Sequence, residues 1–339
     1  MYETRSKRGI RRAAACFLSV LLAAALAVPA WAGGGGRTLI PLGKAVGIKL
    51  FADGAMVVSV SSLDGAASPA EGCGMREGDL LLELNHSKVT SAEQVQQFLQ
   101  DNGTAPVTVT VARSQKVLEL EATPRLCDDG VYRLGAWIRD SIAGIGTLTY
   151  YDPQTGQYGA LGHGINDVDT RALMPLSSGA IMETTIKAVK QGTKGEAGEL
   201  RGDFSVQRDV GDLTANTEGG IFGTVADRDF IGTAEAVEVA SASQVHPGKA
   251  TILATVSGST VREYAVEILK VYPFNQPTRN LLLKITDAQL LAATGGIVQG
   301  MSGSPILQDG RLVGAVTHVF LNDPTQGYGI LMENMLAMS

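Results

Sequence analysis

The stretch Gly300-Met301-Ser302-Gly303-Ser304-Pro305 sets a hydroxyl among small residues in a turn closed by proline. Such a serine can serve as a nucleophile if the backbone aims its own amide and that of Gly300 at one developing oxyanion. Glycine at 300 tolerates dihedrals that a side chain forbids, and Gly303 is expected to clear space where a substrate approaches. Ser304 is the alternative nucleophile in the same loop, and a Gly/Ser turn leading into a strand is the plain structural reading. A hydroxyl needs a base, and the chain holds four histidines: His86, His163, His246 and His318. His163, in Ala160-Leu161-Gly162-His163-Gly164-Ile165, is flanked by glycines after a strand-like run, which leaves space around the ring as a general base requires. His318, one hairpin beyond the serine in Val313-Gly314-Ala315-Val316-Thr317-His318, is its main rival. A carboxylate would hold the base in one tautomer and stabilise the imidazolium. Asp287, in Leu283-Lys284-Ile285-Thr286-Asp287-Ala288, is the leading candidate, although an aspartate there also reads as a helix cap; Asp203, Asp209 and Asp212 stay open, whereas Asp167 and Asp169 lie awkwardly near His163 in sequence.

These groups need a scaffold, and the pattern is mainly β. Short Val/Ile/Thr/Leu runs alternate with Gly/Asp/Asn turns, glycine is abundant at 41 residues, and aromatics make up only 5%. The chain divides into a leader and Gly linker over residues 1–36, a first unit over 37–125 and a second over 126–339, where short strands predict a barrel architecture with brief helices near 286–293 and 332–338. The leader carries Arg5, Lys7, Arg8, Arg11 and Arg12, then an apolar run over 13–28, then Ala30-Trp31-Ala32. That is an export signal or a membrane anchor, so the remainder is expected outside the cytoplasm. The formal net charge of −6 and the lack of basic runs beyond the leader exclude nucleic acid as a natural partner. Beyond Cys16 of the leader only Cys73 and Cys127 remain, too few for a disulfide framework and without zinc spacing; no metal or cofactor is expected.

In the first unit, residues 46–51 and 55–60 read as strands joined at Asp53-Gly54. Then come Gly78-Asp79-Leu80-Leu81-Leu82-Glu83-Leu84-Asn85, a helix opening at Thr90-Ser91-Ala92-Glu93, and the strands Val107-Thr108-Val109-Thr110-Val111 and Val117-Leu118-Glu119-Leu120. This order resembles a PDZ domain, an α+β fold. The resemblance implies a carboxylate-binding loop at Gly43, Val46, Gly47 and Ile48, with a peptide adding as a strand beside residues 48–51. His86 stands where a glycine usually follows Asn85.

The serine loop is similar to the Gly-x-Ser-Gly-Gly-Pro of trypsin-like peptidases, with Ser304 in place of one glycine. A longer set of motifs resembles the SpoIVB peptidases of endospore-forming bacteria: Thr294-Gly295-Gly296-Ile297-Val298-Gln299 running into the serine loop, Gly314 through Phe320, Asn322-Asp323-Pro324-Thr325, and Ala160-Leu161-Gly162-His163-Gly164. The resemblance implies a chymotrypsin-like double β-barrel and a serine endopeptidase with His163, Asp287 and Ser302 as triad and the amides of Gly300 and Ser302 as oxyanion hole. It also implies self-cleavage, then cleavage of the regulatory subunit of an intramembrane protease in the space between the forespore membranes, which triggers a late mother-cell sigma factor. In such a chain Asp287 would enter from the second half of the barrel pair, since it nearly abuts the serine. The competing readings are a non-catalytic envelope PDZ adaptor that binds peptide C-termini, and a secreted degradative peptidase.

Overall fold

Two strands of sixteen residues run side by side and connect every part of the molecule that bears on the site. The computed structural model describes residues 36–114, 116–272 and 277–339, excepting the side chains of 206 and 207; the leader expected over 1–36 lies almost wholly outside the described residues. After β1 (Thr38–Pro41), strand β2 (Ala45–Val60) alternates buried Ile48, Leu50 and Ala52 with exposed Lys49, Phe51 and Asp53. This is the period-two signature of a strand with one face in a core.

Between β2 and its long partner lies an inserted α+β module. It comprises α1 (Pro69–Gly72), β3 (Leu80–Leu84), β4 (Ser87–Lys88), α2 (Ala92–Asn102), β5 (Val107–Arg113), β6 (Lys116–Ala122), β7 (Arg125–Leu126) and β8 (Tyr132–Arg133). Ser91 caps α2 by accepting from the Gln94 amide, as its position before the apolar face requires. Val95 and Leu99 of that face pack with Leu81, Val107, Val109 and Val111 in one core. The β3–β4 turn uses Asn85 (φ 47°) and His86 (φ 61°), so the left-handed conformation is kept without glycine.

The partner strand β9 (Ala136–Tyr151) lies antiparallel to β2 from the Val60↔Ala136 pair to Ala45↔Thr147. Residues 52–55 of β2 stand opposite a single position of β9, because the register passes from Phe51↔Ser141 to Met56↔Arg139. Asp53-Gly54 therefore makes a bulge inside one strand, not the expected hairpin turn. Beyond β9 follow β10 (Gln157–Ala160), β11 (Ser178–Lys190), β12 (Glu199–Thr217) and β13 (Gly220–Val225). The pairings run β2–β9–β10–β13–β12–β11 and return to β2 around a core that holds Val46, Ile48, Leu148, Tyr158, Ile181 and Ile221. The same sheet continues from β2 into β3, β5 and β6, for twelve strands in all.

This pairing corrects two expectations. Residues 46–51 of β2 bond β9 on one edge and residues 178–183 of β11 on the other, so no edge is open there for a peptide. Gly43, Val46, Gly47 and Ile48 are consequently not a carboxylate-binding loop. Val46 is fully buried, the Gly43 carbonyl accepts from Thr255 Oγ1 at 3.0 Å, and a Cβ on Gly43 would stand 2.5 Å from Leu253 Cβ. The unit expected from residue 37 thus begins, in hydrogen-bonding terms, only in the second half of β2, where Ala55 and Met56 pair β3. Alternation announces a strand but not its partner.

After β14 (Val237–Glu238) the chain builds β15 (Gly248–Ala254), β16 (Arg262–Val271), β17 (Leu281–Ile285), α3 (Ala288–Thr294), β18 (Pro305–Gln308), β19 (Arg311–Phe320), β20 (Asp323–Leu331) and α4 (Met332–Leu336). Strands β15–β16–β17–β20–β19–β18 close a barrel, the last pairing β15 through Ile252↔Ile306. Its interior holds Ile252, Ile268, Leu283, Ile306 and Val316. Everything from Thr38 to Ser339 forms one compact unit, mainly β.

Candidate active site

His163 stands three residues past the end of β10, where the chain leaves the sheet through two successive positive-φ residues, Leu161 (68°) and Gly162 (69°). Its Nδ1 lies 2.8 Å from the Gly164 carbonyl. A carbonyl only accepts, so this bond places the proton on Nδ1 and leaves the Nε2 lone pair free to take another. Burial lowers the imidazole pKa below its ordinary 6.5, against a smaller raising effect of the Gly164 bond, so the ring is a neutral base at neutral pH.

The serine loop is held from several sides. Helix α3 ends on Gly295, and the chain passes Ile297, whose amide donates to the Pro324 carbonyl at 2.8 Å. Gln299 then pairs with residues 198–200: its amide donates to the Gly198 carbonyl (2.9 Å) and its carbonyl accepts from the Leu200 amide (2.8 Å). Gly300 (φ 97°) and Gly303 (φ 96°) bracket Ser302 in backbone conformations closed to other residues without strain. The Met301 amide donates to the Val298 carbonyl, the Ser304 amide to that of Met301, and the Gly303 amide to that of Val316. Among the described residues the amides of Gly300 and Ser302 have no protein acceptor, as the two donors of an oxyanion site require.

Ser302, His163 and His318 line one cleft of about 480 Å³. The Ser302 hydroxyl donates to the Thr317 carbonyl at 2.9 Å, so a rotation about χ1 is needed to present it to the base. Ser304, the alternative nucleophile, is completely buried and absent from the cleft. His318 lines the same cleft as a neighbour of His163, with ring centroids 5.2 Å apart and planes inclined at 43°. Burial first, then the nearby His163 and Arg279, bring its pKa to about 4, which keeps this second ring neutral as well. Of the other histidines, His86 occupies the β3–β4 turn, and His246 pairs at the surface with Asp309.

Asp287 is not brought to this cleft. It is the N-cap of α3: one carboxylate oxygen accepts from the amides of Gln289 and Leu290 at 2.9 Å each, and the other from Ala265 at 3.4 Å. The expectation of Asp287 as orienting carboxylate is therefore corrected, because the helix that starts at residue 288 claims its oxygens. Among the described residues the cleft lining includes no aspartate or glutamate, and the bond from His163 Nδ1 goes to the Gly164 carbonyl instead. Asp287→Ala is expected to cost about 1 kcal/mol of stability in denaturant titration, and Asp287→Asn, which keeps a capping oxygen, only a few tenths. Turnover should change less than about tenfold in either; a loss near 10⁴-fold, the size seen when a triad base takes the wrong tautomer, would place Asp287 back in the machinery. Asp167, nearly fully buried, is paired with Arg139 of β9 and bonded by Thr170.

Sequence reasoning missed Thr147. This buried residue of β9 donates from its amide to the Ser302 carbonyl (3.0 Å) and from Oγ1 to the Gly300 carbonyl (2.7 Å), and accepts at its own carbonyl from the Leu161 amide (3.2 Å). A threonine in the run Gly146-Thr147-Leu148-Thr149 looks like any strand residue, so no local signal marks it.

A profile of the SpoIVB peptidase S55 family matches residues 130–336, more than half of the chain. The chain belongs to that family. It is thereby a serine peptidase, and a PDZ-domain profile matches residues 65–113 within the inserted module. The peptidase match begins downstream of β2, although β2 completes its sheet. No curated protein matches the chain significantly. Among solved structures, the active form of the Rv3671c protease from M. tuberculosis is 12% identical, with 58% of this chain and 73% of that one covered at a TM-score of 0.33. Its inactive form gives 11% identity, 57% and 82% coverage, and a TM-score of 0.32. The PDZ domain of an SdrC-like protein from Listeria monocytogenes is 19% identical over 25% of this chain and 87% of its own, with a TM-score of 0.23.

Proposed function

We propose that this peptidase cleaves extended polypeptide segments by acyl transfer, with Ser302 as nucleophile, His163 as base and the amides of Gly300 and Ser302 stabilising the oxyanion. The observation that carries the reading is the convergence of Ser302 and His163 on one cleft beside two amides without an acceptor. His163 takes the serine proton on Nε2 while its Nδ1–H stays bonded to the Gly164 carbonyl, and returns the proton to the leaving amine. We read the ring β2–β9–β10–β13–β12–β11 as the first barrel of a chymotrypsin-like pair, with the closed barrel as the second.

The cleft favours an uncharged aliphatic side chain at the scissile position. Its walls include Ile142, Ile145, Ile165, Ile297, Val298 and Val319, and Val168 and Leu321 stand exposed at its rim. Wild-type protein should react with a fluorophosphonate and hydrolyse peptides with Leu, Val or Met before the scissile bond at least about tenfold faster than those with Lys or Asp, because an apolar wall offers a charge no partner. Its kcat/KM should rise with pH through a midpoint below 6.5, since burial of His163 favours the neutral, active form. A preference for charged residues, or a midpoint well above 6.5, would refute these assignments.

A second groove favours peptide docking on the PDZ module. PDZ domains bind peptides, and here about 600 Å³ lies between Val95 and Leu99 of α2 and residues 135–138, where β9 pairs β2 on one edge only. Trp137 is exposed beside it. We take this groove, in place of residues 43–48, as the peptide site. The motif resemblance supports a place in sporulation signalling, with the chain itself and a membrane-protease regulatory subunit as substrates, and the basic, apolar composition of the leader supports export to an extracytoplasmic location.

A further inference from the structure

We infer that Thr147 is a positioning residue that holds the oxyanion site open, an inference that rests on the reading of Ser302 as nucleophile. The amide proposed to bind the oxyanion belongs to the peptide plane between Gln299 and Gly300. Glycine is the residue freest to let such a plane rotate, and a rotation would carry the N–H away from the cleft. Both planes around Gly300 are pinned. The Gln299 carbonyl is held by the Leu200 amide at 2.8 Å, and the Gly300 carbonyl by Thr147 Oγ1 at 2.7 Å. The second bond depends on a side chain, and Thr147 is suited to it: a β-branched residue has few χ1 choices, and this one is 1% exposed.

The backbone of the same residue ties the other parts together. Its amide holds the Ser302 carbonyl, and its carbonyl holds Leu161, two residues before the base. One position of β9 thus sets the spacing between the nucleophile loop and the histidine loop. The backbone bonds, including that of the Met301 amide to the Val298 carbonyl in the same peptide plane, survive any substitution, whereas the bond to the Gly300 carbonyl belongs to the hydroxyl. Valine keeps the shape and removes the hydroxyl; serine keeps the hydroxyl and removes a methyl.

The test compares Thr147→Val and Thr147→Ser with wild type in peptide hydrolysis and in binding of a peptide aldehyde. The Ser302 oxygen adds to the aldehyde carbon while its proton passes to His163, and the resulting hemiacetal oxygen occupies the oxyanion site. Thr147→Val should lower kcat by about one to two orders of magnitude, with KM within about threefold, and weaken the aldehyde by a similar factor. Thr147→Ser should restore both to within about threefold of wild type. Thermal unfolding of each variant reports general loosening, which would weaken substrate and aldehyde alike. Wild-type kcat and aldehyde affinity in Thr147→Val overturn the inference, as does Thr147→Ser impaired as badly as valine, since the methyl would then be what matters. If wild type neither reacts with a fluorophosphonate nor hydrolyses peptides, the Ser302 reading fails and this inference falls with it. Labelled wild type with an unimpaired Thr147→Val sinks this inference alone.

Discussion

Ser302→Ala is expected to lower peptide hydrolysis by about 10⁴- to 10⁶-fold, the scale on which removal of a nucleophile acts in a serine peptidase, and to end labelling by a fluorophosphonate. The fold should survive. The hydroxyl makes one bond, to the Thr317 carbonyl at 2.9 Å, in a half-buried position, so its loss is expected to shift unfolding by no more than about 1 kcal/mol. Ser304→Ala is the paired control. Its hydroxyl is buried with no partner, so alanine removes an unsatisfied polar atom and should leave labelling intact. Labelling that persisted in Ser302→Ala but vanished in Ser304→Ala would reverse the two assignments.

Gly303→Ala should act on the fold as well as the chemistry. A Cβ there would sit 2.1 Å from the Thr147 carbonyl oxygen and 2.5 Å from the Leu161 amide nitrogen, both backbone atoms that cannot swing aside, and φ is already +96°. The left-handed conformation alone costs a side chain about 1–2 kcal/mol, and the clash must push β9 or the histidine loop away. Destabilisation of about 3 kcal/mol or more is expected in denaturant unfolding, with activity lost because the Thr147–Ser302 bond cannot survive the displacement. Gly310→Ala separates the two causes. Gly310 has φ of +75° with nothing within 4 Å, so it should cost only the dihedral part and keep activity. Equal losses at the two positions would refute the steric account. The contacts also revise the part expected of Gly303: it makes room for the neighbouring backbone, not for a substrate.

Much of the site was legible beforehand because it is local. A turn that needs positive φ on both sides of a serine writes glycine into the sequence, and a histidine set between glycines just past a strand is as local a pattern, which is why Ser302, Gly300 and His163 stand out as candidates. The helix after β17 was legible for a related reason: Asp287 precedes an Ala/Leu run, and its capping geometry is as local as a turn. The same residue misleads as the leading candidate for the orienting carboxylate, both from its own segment and through the resemblance. Whether an aspartate reaches an imidazole far away in the chain depends on which barrel edge faces which.

What the amino-acid order determined by itself is the set of short-range features: the strand periodicity, the helix caps, the strained turns and the chemical inventory of a serine peptidase. Only the tertiary structure decided the partners. It gave residues 46–51 to a sheet with β9 and β11 and not to the inserted module, it set His318 beside His163, and it made Thr147 the tie between two loops. The reason is physical. Alternating burial looks the same for every partner a strand could bond, and a hydroxyl on a strand carries no mark of the carbonyl it will meet.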